Sequence, residues 1–173
     1  MRQIALAALA TLIASLHLSV ALAQPVTINN FGDWTAYRYT DSSGQLTCFA
    51  ATTPTRSEGN YTRRGDIWLQ ITHRPNDSEN INRKNVTSFE AGYPFADGWR
   101  PRVTIGNQVF AMFTIGETAW AWAADDDSMV GAMKAGASLI IEGRSQRGTY
   151  TRDTFSLIGV TAAINAIDEA CGL

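Results

Sequence analysis

The stretch AWAWAADDDSMVGAMKAG, residues 119–136, joins a strand pattern, an acidic cluster and a helix pattern without a break. In its first part tryptophan alternates with alanine, so a strand here projects Trp120 and Trp122 from one side and the alanines from the other. Two hypotheses explain the paired indoles. They are core residues next to a covering helix, which is the interpretation we favour, or they line a carbohydrate platform.

The three aspartates at 125–127 and the residues after them predict a short helix over 126–135. Aspartate and serine are typical of a helix start, and Lys134 with Gly136 is typical of a helix end. Carboxylates at a helix N-terminus accept hydrogen bonds from free N–H groups and oppose the positive end of the helix dipole. We therefore interpret the aspartates as helix caps rather than calcium ligands, since calcium loops place their oxygen ligands at alternating positions around a glycine turn.

Outside this stretch, short segments rich in β-branched and aromatic residues alternate with turn residues. They predict strands at residues 34–39, 46–51, 67–73, 85–91, 102–105, 108–114, 118–123, 139–144 and 149–157. Gly106-Asn107 predicts a hairpin between two of these strands. An apolar helical pattern over 161–170 predicts a second helix before Cys171. The predicted fold is mainly β, an antiparallel sandwich or barrel with one or two short helices.

Residues 1–23 have the pattern of a secretory signal peptide. Arg2 precedes a largely apolar run, and Ala21-Leu22-Ala23 fits a cleavage site. Polar residues follow at once, which argues against a membrane-spanning helix. We therefore predict cleavage after Ala23, export through the Sec pathway, and a single mature domain over 24–173 without a transmembrane segment.

The charge and cysteine content of the mature chain limit its function. The chain has 14 basic and 16 acidic residues, so loss of Arg2 leaves 13 against 16, a net charge of −3. Scattered, weakly acidic charge gives no support to nucleic-acid binding. Only Cys48 and Cys171 are present. An exported protein most simply joins two such cysteines in a disulfide, and two free thiols are the alternative.

Catalytic and metal chemistry find little support in the sequence. His73 is the one histidine of the mature chain and ends a predicted strand, so we interpret it as a structural or surface residue rather than a general base. One histidine without a C-x-x-C or H-E-x-x-H motif does not make a zinc site. We predict no cofactor, no metal and no enzymatic activity. A hydrolase built on acids such as Asp66, Asp97 or Asp153 is the least favoured hypothesis.

Two surface features remain as candidates. Arg64-Gly65-Asp66 matches an adhesive tripeptide, but it leads directly into a predicted strand, so we favour a solvated loop over an adhesive role. Trp99 lies between two prolines and beside a glycine, in a context that predicts an exposed aromatic residue.

Several motifs, in this order and spacing, resemble the invasion-associated locus B family of exported proteobacterial proteins. The motifs are FGDWTAYRY at 31–39, TCFA at 47–50, SEGNYTRRGD at 57–66, THRP at 72–75, AGYPF at 91–95, FTIGETAWA at 113–121, MVGAMKAG at 129–136, GRSQRGTYTRDTFSLIGV at 143–160 and AC at 170–171.

The resemblance implies an immunoglobulin-like β-sandwich, a Cys48–Cys171 disulfide, and a location in the periplasm or outer envelope of a Gram-negative bacterium. The family name derives from a role in host-cell invasion, and the resemblance supplies no catalytic site. We expect a non-enzymatic protein that binds an envelope or host-surface component. The alternative is a small-ligand or glycan-binding module. The candidate surface residues are Arg63, Arg64, Tyr93, Trp99, Arg100, Trp120 and Trp122.

Overall fold

The computed structural model describes residues 24–77 and 84–173, so the predicted signal peptide lies outside the described residues. Within them lie eleven strands and two helices. In chain order these are β1 (Val26–Phe31), β2 (Trp34–Thr40), β3 (Leu46–Thr52), β4 (Arg56–Gly59), β5 (Trp68–His73), β6 (Val86–Glu90), β7 (Arg102–Ile105), β8 (Gln108–Ile115), β9 (Thr118–Ala121), α1 (Asp126–Ala135), β10 (Ser138–Arg144), β11 (Tyr150–Ser156) and α2 (Val160–Cys171).

All strand pairs are antiparallel, and the spatial order is β1-β2-β3-β5-β6-β9-β8-β7-β10-β11-β4. Strand β8 belongs to two sheets, because residues 108–111 pair with β7 and residues 112–115 pair with β9. We call β1, β2, β3, β5, β6 and β9 the first sheet, and β7, β10, β11 and β4 the second sheet. The shared strand joins the two sheets without a loop.

The core lies between the inner faces of the two sheets and beneath α2. Phe89 in β6 meets Phe155 in β11 edge to face, with ring centroids 6.0 Å apart, and both side chains are fully buried. Helix α2 packs on β2 and β3, where the inward residues Ala36 and Ala50 are small enough for a helix to approach. The remaining inner face of the first sheet is thus covered by a helix rather than by a strand.

The predicted disulfide is confirmed, and the alternative of two free thiols is wrong. Cys48 in β3 and Cys171 at the end of α2 are bonded, with their Cα atoms 6.0 Å apart. That separation lies in the usual range for disulfides. The bond therefore fixes the C-terminal helix to the centre of the first sheet.

The predicted elements agree with the structure in type and, to within two residues, in position. All nine predicted strands and both helices are present, so the mainly β class is confirmed. The antiparallel arrangement is compatible with the immunoglobulin-like sandwich that the resemblance implies. Strands β1 and β4 were not predicted. Both are edge strands: RSEG has no apolar residue, and a register shift between Thr27 and Asn29 interrupts the alternation of VTINNF.

The acidic cluster starts α1 as predicted, but the aspartates do not cap it. Asp125 stands at the N-cap without a side-chain cap bond. Buried Asp126 instead accepts a hydrogen bond of 2.9 Å from the backbone N–H of Thr87, and Asp127 accepts one of 2.8 Å from Asn85. Strand β9 pairs with β6 only from Ser88 to Glu90, so the Thr87 N–H is free to take a carboxylate.

The described residues contain neither a cluster of metal-binding side chains nor a membrane-spanning helix. No group of three or more His, Cys, Asp or Glu side chains there has an arrangement that could hold a metal ion. Among the same residues, no helix has the length and apolar character needed to cross a membrane.

Candidate functional site

The structure separates the candidate surface residues into three places. They are a cleft lined by Arg63, Arg64 and Tyr93, the outer face of the first sheet with Trp120 and Trp122, and a groove lined by Trp99, with Arg100 exposed next to it in the chain.

The cleft has a volume of about 680 Å³ and lies between three loops, at residues 60–65, 92–94 and 145–149. Three of the motifs that carry the family resemblance supply these loops: SEGNYTRRGD, AGYPF and GRSQRGTYTRD. Arg63 and Arg147 lie at its edge with exposed side chains, and Glu117 is the one acid in its lining. We call this site the arginine cleft.

A buried ion pair lies beside the arginine cleft. Arg64 donates two hydrogen bonds, of 2.8 and 2.6 Å, to the two carboxylate oxygens of Asp153, and its Nε donates to the carbonyl of Ala91 at 2.6 Å. Only 4% of the Arg64 side chain and none of the Asp153 side chain is exposed. Burial alone lowers the pKa of Arg64, but the hydrogen bonds and charge of Asp153 raise it above its ordinary value.

The prediction that Arg64 belongs to a solvated loop is therefore wrong. Asp153 points inward from β11, and an inward carboxylate requires a buried counter-charge. Arg64 provides that counter-charge. Its side chain is therefore not available to a receptor, as an adhesive Arg-Gly-Asp tripeptide would require. Gly65 joins the loop at residues 60–65 to the loop at 92–94, since its N–H donates to the carbonyl of Gly92 at 2.9 Å. A Cβ on Gly92 would lie 2.5 Å from the Gly65 oxygen, so the two loops meet only through glycine.

Two tyrosines enclose the Arg64 guanidinium. Its Cζ lies 5.5 Å from the ring centroid of Tyr61 and 4.9 Å from that of Tyr93, in cation–π range. The Tyr93 hydroxyl lies 2.5 Å from the Thr151 hydroxyl. Burial raises the pKa of Tyr93, so the phenol stays protonated near neutral pH. The tyrosine walls of the cleft are thus held by the ion pair.

The outer face of the first sheet is the second place of interest. Trp120 is half-buried and Trp122 is 44% exposed, whereas Ala119 and Ala121 face the core. The interpretation of the tryptophans as core residues is therefore wrong. Ala119 lies directly opposite Phe89 on the inner side, where the buried phenylalanine leaves room only for a small residue.

Aromatic side chains recur across this outer face, between threonine, serine and glutamine residues. Tyr37 and Phe49 stack across β2 and β3 with centroids 4.8 Å apart, and Phe113 packs on Trp122 at 4.7 Å. We define the aromatic face by its six rings, Tyr37, Phe49, Trp68, Phe113, Trp120 and Trp122. At the outward positions of β2, β3, β5, β6 and β9, only Glu90 is charged.

The outer face of the second sheet has the opposite character. Arg102, Glu142, Arg152 and Glu58 lie in one register row across four strands, with alternating sign. Outward strand positions are ordinarily polar, so the second sheet is the expected case. The aromatic face departs from it.

Trp99 is not the exposed aromatic residue that the sequence predicted. Its half-buried ring lies edge to face with Tyr150, at a centroid distance of 5.6 Å, and the Arg144 guanidinium covers both rings. Trp99 and Tyr150 border a groove of about 460 Å³ on the second sheet. Arg144, in β10, supplies the covering side chain, and no local sequence pattern indicated that contact.

His73 is fully buried and forms a structural link between strands and α2. Its Nδ1 accepts a hydrogen bond of 3.0 Å from the N–H of Asn85, so the proton of the neutral ring is on Nε2, which lies 3.1 Å from an Asp168 oxygen. Of the acids named for a hydrolase, Asp66 and Asp97 are exposed in loops and Asp153 is paired with Arg64.

The buried histidine predicts a pH-dependent stability. Burial lowers the pKa of His73 below its ordinary value near 6.5, and the neighbouring Asp168 only partly opposes this. Above that value both folded and unfolded states are neutral at this site. As pH falls below it, the unfolded chain binds a proton first, so the free energy of unfolding should decrease. Urea titrations between pH 8 and 5 test this. His73→Gln should remove this component of the slope, and an unchanged slope would contradict it.

The chain is similar to a known protein family. The family model described as "Invasion associated locus B (IalB) protein" matches residues 34–168, which cover most of the chain. No curated protein and no solved structure matches. The matched range contains both the arginine cleft and the aromatic face.

Proposed function

Because this chain belongs to the invasion-associated locus B family, we propose that it is a non-enzymatic protein of the cell envelope that binds a protein partner through the aromatic face. The partner is an envelope component or, in a host-associated bacterium, a host-surface component that serves invasion. A signal-peptide pattern at residues 1–23 and a disulfide support export to the periplasm or outer envelope.

The single observation that carries this proposal is the aromatic, almost uncharged outer face of the first sheet. The centres of protein interfaces are enriched in tyrosine, tryptophan and phenylalanine and depleted of charged residues. Such a composition marks an interaction site where rings touch one another, as Tyr37 and Phe49 do and as Phe113 and Trp122 do, since isolated apolar residues are ordinary on a protein surface. The charged row on the second sheet lacks this signature.

A cross-linking pull-down with the purified protein as bait tests the proposal. We expect Trp122→Lys to lose a partner that the unchanged protein captures from envelope extract or host membranes, because a charge in an apolar interface centre leaves an unpaired ion. Tyr150→Lys is the matched control, since Tyr150 is 59% exposed but lies on the second sheet. Equal capture by both variants would overturn the proposal.

The arginine cleft favours a second function, the binding of a small ligand. Its volume of about 680 Å³ falls within the range of ligand pockets, roughly 300–1,000 Å³. Two tyrosines and several hydroxyl and amide side chains line it. This ligand site and the aromatic face use different residues, so the two functions are separable by mutation.

A further inference from the structure

We propose that the arginine cleft binds an anionic saccharide, a sugar unit that carries a carboxylate or phosphate group. This inference rests on the second candidate function, ligand binding in the cleft, and is independent of the aromatic face. It deepens that function by assigning the chemical class of the ligand.

The charge of the cleft selects an anion. Arg63 and Arg147 are exposed at its edge and have no ion-pair partner within residues 24–77 and 84–173. The buried Arg64–Asp153 pair is neutral as a unit, and Glu117 is the one acid in the lining. Two free guanidinium groups against one carboxylate leave a positive site on an acidic protein. Guanidinium groups bind carboxylate and phosphate in bidentate geometry.

Both arginines stand on anchored backbone. The N–H of Gln146 donates to the Pro94 carbonyl at 2.8 Å, and the turn that carries Arg147 closes between Ser145 and Gly148. Arg63 directly precedes Arg64, whose side chain is fixed by Asp153. A ligand therefore meets two cations whose backbone positions are already set, which lowers the entropic cost of binding.

The rest of the lining fits a sugar. Hydroxyl and amide groups of Asn60, Thr62, Gln146 and Thr149 supply both donors and acceptors, as a hydroxylated ring requires. Tyr61 is 36% exposed beside them and offers an aromatic surface to the ring. An acidic peptide would also satisfy the arginines, but its backbone offers one donor and one acceptor per residue, whereas each hydroxyl of a sugar ring both donates and accepts.

NMR titration of the purified protein tests the proposal with four probes: trigalacturonic acid, its methyl ester, glucose 6-phosphate and triglutamate. We expect both anionic sugars to shift amide signals of residues 60–65 and 145–149 at millimolar concentration. The neutral ester and triglutamate should bind at least tenfold more weakly. Equal binding of the ester overturns the role of charge, and equal binding of triglutamate overturns the saccharide class.

Variants locate the binding. The double variant Arg63→Gln and Arg147→Gln should weaken trigalacturonate binding at least tenfold. Arg100→Gln, an exposed arginine outside the cleft lining, is the matched control and should bind as the unchanged protein does. Absence of any shift with all four probes would overturn the proposal, whereas binding of the neutral ester alone would leave the cleft as a ligand site for an uncharged sugar. Shifts that persist in the double variant would place the sugar elsewhere and overturn the proposal.

Discussion

Replacement of Arg64 by alanine is expected to lower the free energy of unfolding by about 3–5 kcal/mol, because it leaves a fully buried carboxylate without a counter-charge. Asp153 has no exposed side-chain surface, and both of its oxygens accept from Arg64. The same change frees the Ala91 carbonyl and removes the group that lies between Tyr61 and Tyr93. Equilibrium urea unfolding, followed by circular dichroism, measures the loss.

Two further variants distinguish the effect of breaking the ion pair from the effect of losing any arginine in this loop. Arg63→Ala changes the neighbouring exposed residue and should alter stability by no more than about 0.5 kcal/mol. Arg64→Met combined with Asp153→Leu removes both charges at similar volume and should recover most of the stability. If Arg64→Ala unfolds at the same urea concentration as Arg63→Ala, the buried ion pair does not stabilise the fold.

Loss of the disulfide should have an effect of similar size. Cys48 and Cys171 are 123 residues apart in sequence, and in the chain-entropy model closure of a loop that long contributes roughly 4–5 kcal/mol. The double variant Cys48→Ala and Cys171→Ala should therefore unfold at markedly lower urea concentration than the oxidised protein. Its smaller side chains leave only a minor cavity in the core.

A reductant provides the control for this prediction. Reduction of the unchanged protein should lower its urea midpoint to nearly that of the double variant. The variant itself should not respond to reductant, since no thiol remains. Equal midpoints for oxidised protein and variant would show that packing of α2 on β2 and β3 holds the helix without the bond.

Local patterns predicted the elements well and their orientation less well. Alternation and turn residues located nine strands, because buried strands need apolar residues at every second position. The edge strands β1 and β4 escaped because RSEG has no apolar residue and a register shift between Thr27 and Asn29 interrupts the alternation of VTINNF. Alternation also does not say which side faces inward, so Trp120 and Trp122 were placed in the core while Ala119 and Ala121 occupy it.

The candidate site was only partly predictable for a related reason. The sequence marked Arg63, Arg64 and Tyr93, and the structure brings these three together. The sequence did not indicate that Arg64 pairs with Asp153, because the two residues are 89 positions apart and meet only when β11 joins the second sheet. Arg147 was also missed, since a turn residue carries no pattern of its own. Tyr61, which also lies in a loop, escaped in the same way.

The separation of the two cysteines also bears on the order of events during synthesis. A chain that emerges from its N-terminus presents Cys48 long before its partner, and 123 residues must follow before Cys171 is available. During that interval the only thiol of the nascent chain is free to react with other chains or with small thiols. The bond therefore cannot form until every strand of the fold has been synthesised, and it cannot guide any structure that forms before that point.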